Sequence, residues 1–149
     1  MTFNIQSKCL IIAGVIASLA AIWHLLCIVG GPSWFIFARA PSAIIISAQE
    51  GTLLAPIGTI IVATLMFTCT LYAFSAAGLI GKIPLVKPAL ITISALCLLR
   101  VIVVIPSFYY SSFTDLWQLI ATSTWLFVGL SFLNGVRTIK HQKKIKEDS

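Results

Sequence analysis

The sequence predicts an all-α integral membrane four-helix bundle. Three observations lead there. The 149 residues are 59% hydrophobic and 9% charged, whereas a soluble domain carries about 25% charged residues. The apolar residues gather into four runs, at 9–29, 53–80, 85–105 and 116–133. Each run approaches or exceeds the roughly 20 helical residues needed to cross a hydrocarbon core. One membrane domain therefore takes up nearly the whole chain, followed by a basic tail over 134–149.

Span 1 begins after Lys8. Its apolar length exceeds the roughly 7–15 residues of a signal-peptide core, and no small-x-small cleavage site follows, so we expect it to be retained as a span. Span 2 starts near Pro56, which either kinks it or sets its true start; Gly78 and Gly81 mark its end. Pro88 opens span 3, where a missing N–H costs little, and Pro106 closes it. Ser112 and Asp115 have capping-box-like spacing before span 4. Asn134-Gly135 either ends that span or lies within a helix continuing into the tail.

Between spans 1 and 2 the chain is less regular. Gly30-Gly31-Pro32 forces a turn, Trp34–Phe37 is apolar but too short to span, and Pro41-Ser42 starts a short helix through Glu50 that ends at Gly51. This reads as an interfacial or re-entrant helix, or more simply as an aromatic belt at headgroup level.

The basic residues set the orientation. Lys8, Lys82, Lys87, Arg137, Lys140, Lys143, Lys144 and Lys146 fall in the N-terminal segment, the second loop and the tail, against Arg39 alone in the other two loops. By the positive-inside rule both termini are cytoplasmic, and the loops at about 30–52 and 106–115 face outward. The five tail residues, Arg137, Lys140, Lys143, Lys144 and Lys146, lie where they attract anionic headgroups, each by about 1 kcal/mol. The tail is short and lacks interleaved aromatics, which argues against nucleic acid.

Ionisable residues inside spans are costly and are candidates for function. His24 lies six residues before Gly30, and Arg100 six before Pro106, which puts both about 9 Å inside their spans. A ligand-binding cluster is expected on the outward side, formed by His24, Arg39, Glu50, Arg100 and Asp115 and rimmed by Trp23, Trp34, Tyr109 and Trp117. A carboxylate such as Glu50 would offset the arginine, and His24 would serve beside them as an acceptor or a proton donor. The simpler alternatives are that Arg100 snorkels to headgroups, His24 bonds a helix carbonyl, Asp115 only caps a helix and Glu50 is a solvated loop residue.

Cys9, Cys27, Cys69 and Cys97 form no Cys-x-x-Cys pair, so they read as small buried hydrophobes rather than a redox centre. No catalytic residue, metal site or cofactor is expected. Gly14, Ala17, Ser18 and Ala21 form a small-residue stripe on span 1, as do Ala73 and Ala77 on span 2, suited to close helix packing. Thr59, Thr64, Thr68 and Thr70 are placed to bond back to their own helix.

The pattern Trp23-His24, Gly30-Gly31-Pro32, Trp34-Phe35, Ala40-Pro41, Glu50-Gly51, Pro56, Tyr72-Ala73, Ser75–Gly78, Ile83-Pro84-Leu85, Leu99-Arg100 and Ile105-Pro106 resembles that of small four-span proteins of bacterial inner membranes that have no assigned activity. The resemblance covers about residues 20–106. It implies a multi-pass inner-membrane location and no particular chemistry. The leading expectation is a non-enzymatic membrane protein that binds a small ligand, a lipid, a second copy or a membrane-protein partner. The alternatives are a membrane enzyme acting on a lipid-like substrate, with His24 and Glu50 as acid and base, and a small dimeric transporter. Small multidrug transporters are also four-span, but they keep a carboxylate in span 1 where this chain has His24.

Overall fold

The computed structural model describes residues 5–110 and 116–147. The Ser112–Asp115 cap falls outside them, as do the side chains at 106–110 and 138–147. Six helices follow in order: α1 (Ile5–Gly30), α2 (Pro32–Phe37), α3 (Ser42–Glu50), α4 (Leu54–Ala77), α5 (Val86–Tyr110) and α6 (Leu116–Glu147). No strand occurs among the described residues. Four helices, α1, α4, α5 and α6, are long and apolar enough to cross a membrane. Only 17–33% of their apolar windows is buried within the chain. A soluble monomer rarely exposes contiguous apolar patches beyond a few hundred Å², so the remaining surface calls for lipid.

The helix boundaries differ from expectation in two places, at α1 and α5, and at α6 the second of the two expected alternatives holds. α1 starts earlier, at Ile5, taking Gln6, Ser7 and Lys8 into its first turns. α5 does not close at Pro106 but continues to Tyr110. A proline removes one i→i−4 donor, and the surrounding apolar run retains the other bonds. α6 runs through Asn134-Gly135 into the tail as one helix of 32 residues. Pro56 sits in the first turn of α4 and sets its start rather than kinking it.

The helix contacts form two compact units. One contains Met1–Gly14 and Leu71–Ser149, the other Val15–Thr70. In the first, α5 and α6 pack closely. The Ser94 hydroxyl donates to the Gly129 carbonyl at 2.9 Å, and a Cβ on Gly129 would stand 3.1 Å from the Cβ of Cys97. α6 meets α1 at Gly135, where a Cβ would lie 2.9 Å from the Leu10 methyls. Gly14 packs against Phe74 and Ala73 of α4. Leu10, Leu90, Val128 and Phe132 are fully buried. Small residues let the backbones approach, and van der Waals packing rewards the approach inside lipid.

The end of α4 is a Schellman motif. Leu79 N–H donates to Phe74 O, Gly78 N–H donates to Ser75 O, and Gly78 takes a φ of 80°, as expected of glycine at this position. The Ser75 hydroxyl then accepts from Ile83 N–H at 3.0 Å and donates to Gly81 O at 3.1 Å. It thereby ties down the connection to α5. Thr59, Thr64, Thr68 and Thr70 each donate to the carbonyl four residues back, as their spacing suggests.

Candidate functional site

The candidate residues are divided between the two units. Trp23, His24, Trp34, Arg39 and Glu50 belong to Val15–Thr70; Arg100, Tyr109, Asp115 and Trp117 belong to the other. Asp115 and the Tyr109 side chain lie outside the described residues.

In Val15–Thr70, the chain leaves α1 at Gly30 and re-enters a helix at Pro32. The single residue between them, Gly31, takes a φ of 71°, which a side chain rarely tolerates. Pro32 occupies the first position of α2, where its missing N–H costs nothing. Gly30 must be a glycine for a different reason, since a Cβ there would overlap the Trp34 indole. With Trp34 pressed against Gly30, its ring stacks on Trp23 at 5.5 Å between centroids, and Phe37 tilts against the same Trp23 at 6.0 Å. Offset aromatic pairs at this separation are favourable beyond their buried area. Beneath them Phe35, Cys27 and Ala55 form a buried cluster flanked by Ile44 and Ile45 of α3.

α2 ends in a second Schellman motif. Ala40 N–H donates to Phe35 O, Arg39 N–H donates to Ile36 O, and Arg39 occupies the left-handed position with a φ of 55°. Glycine is the usual residue there. Arg39→Gly is therefore expected to stabilise the unit by about 1 kcal/mol, the approximate cost of left-handed backbone for an L-residue. Thermal unfolding of the purified protein in detergent reads this, and a fall in the midpoint would mean that the Arg39 side chain contributes more than its backbone costs.

Ser47 and Thr52 carry no recognisable motif in the sequence, yet they hold α3 to α4. Ser47 is 3% exposed. Its hydroxyl pairs with the Thr52 hydroxyl at 2.6 Å and accepts from Ala55 N–H at 2.8 Å. Ala55 lies in the first turn of α4, so Ser47 satisfies one of the orphan donors at that helix start from eight residues away. The available signal was a serine set among Ile44–Ile46 and Ala48, with a threonine five residues on.

Arg39, Glu50 and Arg100 are exposed, and His24 is half-buried. The His24 Nδ1–H donates to the Ala20 carbonyl at 2.7 Å, leaving Nε2 as the other ring nitrogen. No hydrogen bond or ion pair links His24 with Glu50 among the described residues. Trp117 stands in the first turn of α6 and is 39% exposed. With α5 extending to Tyr110, Arg100 is ten residues from its end, about 15 Å at 1.5 Å per residue. The apolar stretch of α5 that could span ends sooner, at Ile105, five residues beyond Arg100. No group of three or more His, Cys, Asp or Glu that could hold a metal occurs among the described residues.

Comparison of the chain with protein-family models, with curated proteins and with solved structures finds no match.

Proposed function

We propose that the protein is a non-enzymatic, multi-pass membrane protein of a bacterial inner membrane, with both termini in the cytoplasm. It binds a lipid, small ligand or membrane partner through charged and aromatic groups on its outward half. The orientation rests on the distribution of Lys and Arg, and the bacterial inner membrane on the sequence resemblance. In this reading α2 and α3 lie along the outer membrane surface, with the Trp23–Trp34–Phe37 group at headgroup level and the basic tail against anionic headgroups.

The observation that carries the binding reading is the exposure of Arg39, Glu50 and Arg100. Acid–base catalysis needs groups that converge on one substrate within hydrogen-bond reach. His24 is instead bonded to its own helix and Glu50 points to the surface. Exposed charges on apolar helices suit recognition of something that comes alongside.

Native mass spectrometry of the full-length protein, extracted together with its surrounding lipids, tests this. The wild type should carry a bound species that Arg100→Leu or Arg39→Gln loses while remaining folded. An identical bound complement in the wild type and both variants would contradict the reading.

A further inference from the structure

Four cations gather at one end of the unit formed by Met1–Gly14 and Leu71–Ser149. Lys8 belongs to α1, Lys82 to the connection after α4, Lys87 to α5 and Arg137 to α6. Helix contacts set their common level. A Cβ on Gly135 would lie 2.9 Å from the Leu10 methyls. Lys8 is two residues before Leu10 and Arg137 two after Gly135, so both stand within about 3 Å of that contact along their helices. α5 and α6 are joined by a short connection and run antiparallel. Gly129 of α6 packs against Ser94 and Cys97 of α5. Lys87 is seven residues before Ser94 and ten before Cys97, and Arg137 is eight after Gly129, which places both about 10–15 Å from that contact in the same direction. Lys82 is held on either side, because the Ser75 hydroxyl bonds Gly81 O and Ile83 N–H. Ser75 follows Phe74, which packs on Gly14 of α1.

This level coincides with the ends of the apolar helices. The stretches long and apolar enough to span begin at Ile5 and Val86 and end at Arg137. Lys8, Lys87 and Arg137 lie within three residues of those ends, about 5 Å. All four cations are exposed, and none makes a hydrogen bond or ion pair with a described residue. The chain's own carboxylates are placed elsewhere. Glu50 belongs to the other unit, Asp115 precedes the opposite end of α6, and Glu147 and Asp148 are ten or more residues beyond Arg137. Ile12 and Ile91 follow Lys8 and Lys87 by four residues, on the same helix faces, and are 50% and 47% exposed. Each lysine thus tops an apolar face open to an acyl chain.

We propose that Lys8, Lys82, Lys87 and Arg137 form a binding site for a phospholipid with two phosphates in one headgroup, of the diphosphatidylglycerol class, whose acyl chains run along the Ile12 and Ile91 faces. Charge complementarity selects the headgroup. Cations spread over three helices and a connection match an anion with more than one charged point, and linking the two phosphates makes the second contact intramolecular. Basic groups between spanning helices on the cytoplasmic side bind headgroups of this kind. The apolar faces beside the lysines select a lipid over a free phosphate. The site lies apart from Arg39, Glu50 and Arg100 and does not rest on the outward-half reading.

The test uses the full chain in an uncharged detergent with a fluorescent diphosphatidylglycerol, displaced by unlabelled competitors. At equal phosphate, diphosphatidylglycerol should displace the probe about tenfold more effectively than phosphatidylglycerol, a modest gain for two linked contacts. Inorganic pyrophosphate should displace it weakly. Lys8→Gln, Lys87→Gln and Arg137→Gln should each weaken probe binding about fivefold, the effect of one cation near the surface, with unchanged helical content by circular dichroism. Lys8→Gln combined with Gln142→Lys restores the net charge and should not restore binding. Equal displacement by phosphatidylglycerol, or recovery with Gln142→Lys, overturns the site in favour of diffuse attraction to anionic headgroups. Pyrophosphate as effective as the lipid overturns it in favour of a soluble ligand, and unchanged binding in the three single variants overturns it outright. None of these failures touches the outward-half reading, which Arg39 and Arg100 variants test.

Discussion

Gly129→Leu is expected to force α5 and α6 apart, with a larger loss of stability than Ser47→Val, Thr52→Ala or Gly81→Ala. A Cβ at this position already lies 3.1 Å from the Cβ of Cys97 and 3.2 Å from Leu98. Both neighbours belong to the facing helix, so a branched side chain has nowhere to go without moving the backbone. Moving it also stretches the bond from Ser94 to the Gly129 carbonyl. Overpacking of this kind costs about 1–3 kcal/mol, and the interhelical hydrogen bond adds about 0.6 kcal/mol. Denaturant titration in detergent micelles measures the loss. Gly81→Ala is the control, since no atom approaches a Cβ there; it should fall within about 0.5 kcal/mol of wild type. Equal stability of Gly129→Leu and Gly81→Ala would refute the close α5–α6 contact.

Ser47→Val is expected to loosen the short helices from α4. The substitution adds one heavy atom to the side chain and removes the hydroxyl that accepts from Ala55 N–H and pairs with Thr52. Ser47 is buried, so the Ala55 donor loses its partner without gaining water, at about 1–3 kcal/mol. Thr52→Ala should cost less, because Thr52 is exposed and water replaces its bond. Hydrogen exchange of the first turn of α4 reads the local effect. Faster exchange at Ala55 is expected in Ser47→Val and not in Thr52→Ala; the reverse order would place the cap on Thr52.

Glycine and serine positions also mark the boundary of what the sequence made legible. Apolar run length was enough to find the four long helices, because length and hydropathy act on whole segments. The ends were harder to read. Pro106 and Gly135 both carry helix-ending signatures, yet the helix passes through each. Gly135 serves contact instead, with Leu10 packed where its side chain would be. Propensity alone does not tell a glycine that stops a helix from one that admits a neighbour. Gly78 shows the opposite case, where the left-handed backbone ends α4 as its position suggests.

The candidate site was legible as a set of costly residues but not as an arrangement. Hydropathy marks Arg100 as out of place without saying which face of α5 it occupies, and that face is exposed. The Trp23–Trp34 stack follows from Gly30 and Gly31, whose separate roles appear only when the ring is seen against one and the left-handed turn at the other. The role of Ser47 is invisible to local capping patterns because its bond reaches eight residues forward.

Membrane orientation underlies the whole functional account, and reporter fusions measure it most directly. A pair of reporters, one active only in the cytoplasm and one only outside it, would be joined after Glu50, after Ser112 and after Ser149. Outside activity is expected at the first two sites and cytoplasmic activity at the third. An external tail, or cytoplasmic activity after Glu50, would contradict this orientation and move α2, α3 and their aromatic group to the opposite side of the membrane.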